Sequence, residues 1–79
     1  MTVTVLLFAS YAEQLGRSSM TMELPEGARV EEAVSRVQAE AASRLPPKPM
    51  VAVNQTYAKW SDVLKPGDEL AIIPPVAGG

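Results

Sequence analysis

Residues 2 to 8, TVTVLLF, alternate between polar and apolar types before closing on an apolar run, and they are rich in β-branched residues. A period of two predicts a strand with Val3, Val5 and Leu7 on one face and Leu6 and Phe8 on the other. The segment that follows, SYAEQLG, predicts one or two helical turns. In it Ser10 stands as N-cap, Glu13 three residues on as its capping-box partner, and Gly16 as a left-handed stop. Residues 19 to 24, SMTMEL, alternate again, with Met20, Met22 and Leu24 on one side and Thr21 and Glu23 on the other. They predict a second strand, paired with the first like a hairpin, whose methionines face the core.

In LPEGARVEEAVSRVQAEAASRLPP the period changes. Val30, Ala33, Val34, Val37 and Ala41 recur at helical spacing and lay one apolar stripe toward the core. Glu31 and Glu32 suit the positive first turn, Arg44 suits the end, and prolines at 46, 47 and 49 forbid continuation. Arg29 stands where Ser, Thr or Asp would cap better, which leaves the helix start loosely defined. Beyond it, MVAVN reads as a buried strand, a turn falls at Asn54 and Gln55, QTYAKW holds a shorter strand, and SDVL offers a helical turn. KPGD is a reversal set by Pro66 and Gly67, and ELAIIP is the last strand.

The order is β, β, α, β, β, β, without internal repeats or a linker, and it predicts an α+β roll. One main helix covers one face of so small a sheet, so the other face stays open. With Val3, Val5, Leu7, Leu70 and Ile72 turned inward, the open face receives Leu6, Phe8, Ala71 and Ile73. That surface is too apolar to be left to solvent.

Composition narrows the function. The chain of 79 residues has 47% hydrophobic and 20% charged positions, enough for a single core and no more. Seven basic residues against nine acidic ones leave a net charge of -2. There is no basic footprint for phosphate contacts, so nucleic acid is not an expected partner. The opening apolar run has no basic residue ahead of it and is too short to span a bilayer, so the expectation is a cytoplasmic chain without signal peptide or anchor. With no cysteine and no histidine, disulfides, thiolate metal sites, a cysteine nucleophile and the usual general base are all excluded. The remaining acids, Glu31, Glu32, Asp62, Asp68 and Glu69, are scattered and read as solvated surface. Trp60 reads as an anchor at the edge of the core.

The C-terminal stretch Pro74-Pro75-Val76-Ala77-Gly78-Gly79 is not built for a core. Proline cannot donate to a ladder, and a glycine pair brings no side chain to pack. The division expected is a folded domain over residues 1–73 and a flexible tail over 74–79. What remains reactive is the carboxylate of Gly79. Once adenylated by ATP its acyl group is transferable to a sulfur donor or an amine. Gly78 and Gly79 suit passage through a narrow tunnel, and Pro74 and Pro75 keep the exit extended.

Three segments, LPEGARVEEAV at 24–34, VAVNQT at 51–56 and PGDELAIIPPVAGG at 66–79, resemble the small, sulfur-carrying subunit of molybdopterin synthase, the MoaD family. The resemblance spans nearly the whole chain and is most specific at GDELAIIPPVAGG. It implies a ubiquitin-like β-grasp fold, with a mixed sheet and one main helix packed on one face. The related thiazole-forming carriers, the ThiS family, share the fold and the Gly-Gly ending but typically are shorter and lack the paired prolines. Two departures concern packing: Ile72 and Ile73 stand where aromatics are frequent, and Arg29 replaces the usual helix cap.

The resemblance also implies a mechanism. A MoeB-like enzyme, using ATP, adenylates Gly79, sulfur is installed as a thiocarboxylate, and the loaded tail inserts into a large, MoaE-like subunit, the two kinds of subunit forming a heterotetramer. There the sulfur passes to cyclic pyranopterin monophosphate. The carrier itself is expected to bind no cofactor and no metal, and to catalyse nothing alone. Phe8, Tyr57 and Ile73 match positions of the apolar contact surface for these partners, and Pro74, Pro75, Val76 and Ala77 extend it along the tail. Two other readings use the same Gly-Gly chemistry: a carrier for thiazole synthesis, and a ubiquitin-like tag joined to lysines.

Overall fold

Alternation along the chain becomes a sheet with two unlike sides. A computed structural model describes residues 1–41 and 48–74. The elements are β1 (Thr2–Leu7), α1 (Ala9–Leu15), β2 (Ser19–Glu23), α2 (Val30–Ala41), β3 (Met50–Val53), β4 (Thr56–Tyr57) and β5 (Glu69–Ile73). The strands lie in the order β2-β1-β5-β3-β4. β1 and β5 run parallel at the centre and every other pair is antiparallel, giving the mixed sheet of an α+β roll.

Both helices serve a single core on one side of this sheet. Val3, Val5 and Leu7 of β1, Met22 of β2, Val51 of β3 and Leu70 and Ile72 of β5 meet Val30, Ala33, Val34 and Val37 of α2. Met20 and Trp60 are partly buried against that cluster. Tyr11 of α1 enters the same core fully buried, with its hydroxyl 3.4 Å from Gln38 Nε2. Sequence periodicity did not mark Tyr11, because a seven-residue helix is too short to display a stripe.

Helix starts differ from the sequence expectation. Ser10 lies inside α1, not at its cap; Phe8 takes the cap position in an extended conformation with no side-chain cap bond. Gly16 does end the helix, with φ 69° and its N–H on the Ala12 carbonyl. At α2, Glu32 accepts a hydrogen bond from the Arg29 N–H at 3.3 Å, half of a capping box. The missing half is supplied by chain far away in sequence. Val30 N–H donates to the Asp62 carbonyl and Glu31 N–H to the Trp60 carbonyl, both at 2.9 Å. The free donors of the first turn are thus satisfied by backbone, so Arg29 needs no capping side chain and instead donates from Nη1 to the Ser61 carbonyl at 2.7 Å. The start of SDVL, together with Trp60 before it, therefore caps α2 instead of forming a helix, and Val63 bridges to Arg29.

Candidate functional site: the helix-free face of the sheet

Across the side without helices, one row of side chains runs through four strands. Leu6 of β1 pairs with Ala71 of β5, Ala71 with Ala52 of β3, and Ala52 with Tyr57 of β4. Successive strand residues point to opposite faces, so all four share the open side. A second row lies one step toward the end of β5. Met50 pairs with Ile73, and Phe8 follows Leu7, whose partner is Ile72.

Leu6, Phe8, Ala52, Gln55, Tyr57, Glu69, Ala71 and Ile73 line one open concavity of about 400 Å³. Phe8 is 45% exposed and Tyr57 74%, large apolar surfaces for a single small domain. Covering a phenylalanine-sized side chain is worth roughly 2 kcal/mol, which makes this face a candidate docking surface in physical terms. The concavity thus brings together Phe8, Tyr57 and Ile73, three residues singled out from sequence. Pro74, directly beyond Ile73, is buried. Pro75, Val76, Ala77, Gly78 and Gly79 lie outside the described residues.

The face is graded. At the end where β5 runs on into Pro74 it is apolar, with Phe8, Ile73 and Met50. At the opposite end stand Gln55 and Glu69, with Thr4 of β1 beside Glu69. Sequence reasoning placed Gln55 in a turn and Glu69 among the solvated acids. The parity of Glu69 with Ala71 and Ile73 was the available signal that it shares their face.

Two further observations limit the chemistry. Among the described residues no group of three or more His, Cys, Asp or Glu side chains is arranged to hold a metal ion. The second concavity, about 350 Å³ beside Asn54, Asp62, Lys65 and Asp68, has its carboxylates engaged. Asp62 Oδ2 accepts from the Lys59 N–H at 3.0 Å and Asp68 Oδ2 from the Lys65 N–H at 2.8 Å.

A central parallel pair flanked by antiparallel strands, with the helices on one side and an apolar face on the other, defines a ubiquitin-like β-grasp domain. The pattern of the ThiS family matches residues 5–79, and the chain belongs to this ThiS/MoaD family. It is 39% identical to the molybdopterin synthase sulfur carrier subunit of Chlamydomonas reinhardtii, over 100% of both chains. Among solved structures it is similar to SAMP1, small archaeal modifier protein 1, of Haloferax volcanii, with TM-score 0.82, 27% identity and 100% of both chains covered. It is also similar to a putative molybdopterin converting factor subunit 1 of Pyrococcus furiosus, with TM-score 0.79, 29% identity, and 96% and 99% of the two chains covered.

Proposed function

We propose that this chain is the sulfur carrier subunit of a molybdopterin synthase, holding sulfur as a thiocarboxylate on Gly79. The observation that carries the reading is the apolar concavity of Leu6, Phe8, Ala71 and Ile73, contiguous with the strand that leads into the Pro-Pro-Val-Ala-Gly-Gly tail. A partner seated on that face meets the tail's point of departure. The 39% identity to a curated sulfur carrier subunit supports the same conclusion.

The chemistry follows from the carboxylate. An oxygen of Gly79 attacks the α-phosphorus of ATP in a MoeB-like enzyme and pyrophosphate leaves, giving an acyl adenylate. A sulfur donor then displaces AMP, giving the thiocarboxylate. Docked on a large, MoaE-like subunit, the carrier gives its sulfur to cyclic pyranopterin monophosphate, and water restores the carboxylate. Two such transfers build the dithiolene. ATP belongs to the activating enzyme, and the chain needs neither cofactor nor metal of its own for this part. Among the described residues no helix is long and apolar enough to cross a membrane, and the reaction is expected in the cytoplasm.

The test is reconstitution. Incubated with the activating enzyme, ATP and a sulfur source, the protein gains the mass of sulfur in place of oxygen, localised to Gly79 by fragmentation. It loses that mass when the large subunit and the pterin precursor are added. The likeness to SAMP1 favours a second reading, a protein tag. Gly79 found only in amide linkage to lysines would establish that reading and overturn sulfur transfer; consumption of the sulfur by thiazole-forming enzymes instead of the large subunit would move the carrier to that pathway.

A further inference from the structure

The β3–β4 turn holds a residue the fold would be better without. Asn54 and Gln55 both have positive φ, 51° and 70°. A two-residue hairpin turn of this hand is most at ease with Asn followed by Gly, since a Cβ in the left-handed region is unfavourable. Asn54 has a local reason to be there: its side chain accepts from the Glu69 N–H and donates to Asp68 Oδ1, both at 3.0 Å. Gln55 has none. It is exposed, and no hydrogen bond to its carboxamide occurs among the described residues. Yet it lines the docking concavity.

Glu69 presents the complementary oddity. Its parity with Ala71 and Ile73 puts its carboxylate on the apolar face, half-buried, beside Thr4. No ion pair reaches it among the described residues. Covering it with an apolar partner would bury a bare charge, at a cost that such a face cannot absorb. Whatever seats on Leu6, Phe8 and Tyr57 must therefore bring a positive donor to this end. A guanidinium or ammonium group meets the requirement, since both are donors only and the Gln55 carbonyl oxygen and the Glu69 carboxylate both accept.

We propose that Gln55 and Glu69 are the specificity-determining pair of the open face, accepting hydrogen bonds from an arginine or lysine of the docked partner while Phe8 and Ile73 take its apolar anchor. The pair rests on the sulfur-carrier reading for the identity of the partner. It explains the strained turn: a side chain is kept at position 55 at the expense of stability because binding uses it. It also gives selectivity, because a partner with a carboxylate or an apolar side chain at this point is rejected.

The experiment uses the full chain and the large subunit of the synthase, with affinity measured by calorimetry at low and high salt beside thermal melting of each variant. Gln55→Gly is expected to melt higher than the parent and to bind roughly tenfold more weakly, a combination no purely structural role produces. Glu69→Gln is expected to lose a similar factor and to flatten the salt dependence of binding, because the screened charge pair is gone. Thr21→Ala, on the same side of the sheet but off the concavity, is expected to bind like the parent. If Gln55→Gly binds with unchanged affinity, or Glu69→Gln keeps the parent's affinity and salt slope, the pair plays no part in recognition and the proposal is overturned. A parent chain that does not bind the large subunit at all overturns the sulfur-carrier reading itself, which separates the two failures.

Discussion

Asn54 holds Glu69 from both sides of its peptide: its backbone N–H donates to the Glu69 carbonyl at 2.8 Å, and its Oδ1 accepts from the Glu69 N–H at 3.0 Å. One residue in a hairpin turn thereby fixes where the last strand begins, and with it the register that carries Ala71 and Ile73 onto the open face. Asn54→Ala removes the side-chain bonds and leaves a Cβ at φ 51°, for an expected loss of about 2 kcal/mol. Asn54→Gly removes the bonds but not the conformational freedom, and is expected to lose about half as much. Denaturant titration of the two variants checks the order; equal losses would mean that the turn conformation contributes nothing.

Trp60 is expected to be a structural residue with a built-in reporter. Its indole N–H donates to the Pro49 carbonyl at 3.2 Å while the ring packs against the core. Trp60→Phe keeps most of the packing and strands that carbonyl, for about 1 kcal/mol of stability. As the chain has a single tryptophan, its fluorescence follows unfolding of the parent and circular dichroism follows the variant. A variant as stable as the parent would show that water replaces the indole at no cost.

Much of this architecture was legible because period two and period 3.6 are hard to confuse over long segments. Val3-Val5-Leu7 and Leu70-Ile72 told which face of each strand turns inward, and the open face followed from what was left over. The helix starts were not legible, for a definite reason. The cap of α2 is the backbone of residues 60–62, which sequence neighbours of Arg29 cannot announce. At α1, the Ser10 and Glu13 spacing mimicked a capping box, while the chain entered the helix two residues earlier through Ala9 at φ 49°. For the site, apolar residues at outward parity pointed to Phe8 and Ile73. Gln55 and Glu69 were hidden because a polar residue in a turn or at a strand end is ordinary surface until a structure shows what it borders.

Phe8 and Ile73 should separate binding from folding. Each lies on the open face, whereas Leu70, on the opposite face of β5 and fully buried, belongs to the core. Leu70→Ala is expected to cost about 3 kcal/mol, a large share of what so short a chain has. Phe8→Arg and Ile73→Arg are expected to cost under about 1 kcal/mol in the isolated domain, since the new charge stays in water. On docking the same arginine becomes a buried unpaired charge, and affinity for the large subunit should fall by roughly a hundredfold or more. Melting curves and calorimetry on the same samples decide it. Unfolding of Phe8→Arg comparable to Leu70→Ala would make Phe8 a core residue.

Blocking Gly79 tests the chemistry without touching the fold. Every residue of the described core lies before Pro74, so one alanine added after Gly79, or deletion of Gly79, is expected to leave the melting temperature unchanged. The added residue displaces the carboxylate by roughly 3.5 Å along an extended chain, and the deletion withdraws it by the same step. Acyl adenylation requires the attacking oxygen within bonding reach of the α-phosphorus, and such a displacement removes near-attack geometry. Both variants should therefore bind the activating enzyme through the open face, yet release no pyrophosphate above background when ATP is added. Pyrophosphate release and a pull-down on the same preparations read the two steps apart. Pyrophosphate release at the parent's rate from the extended chain would show that the carboxylate of Gly79 is not the group that reacts.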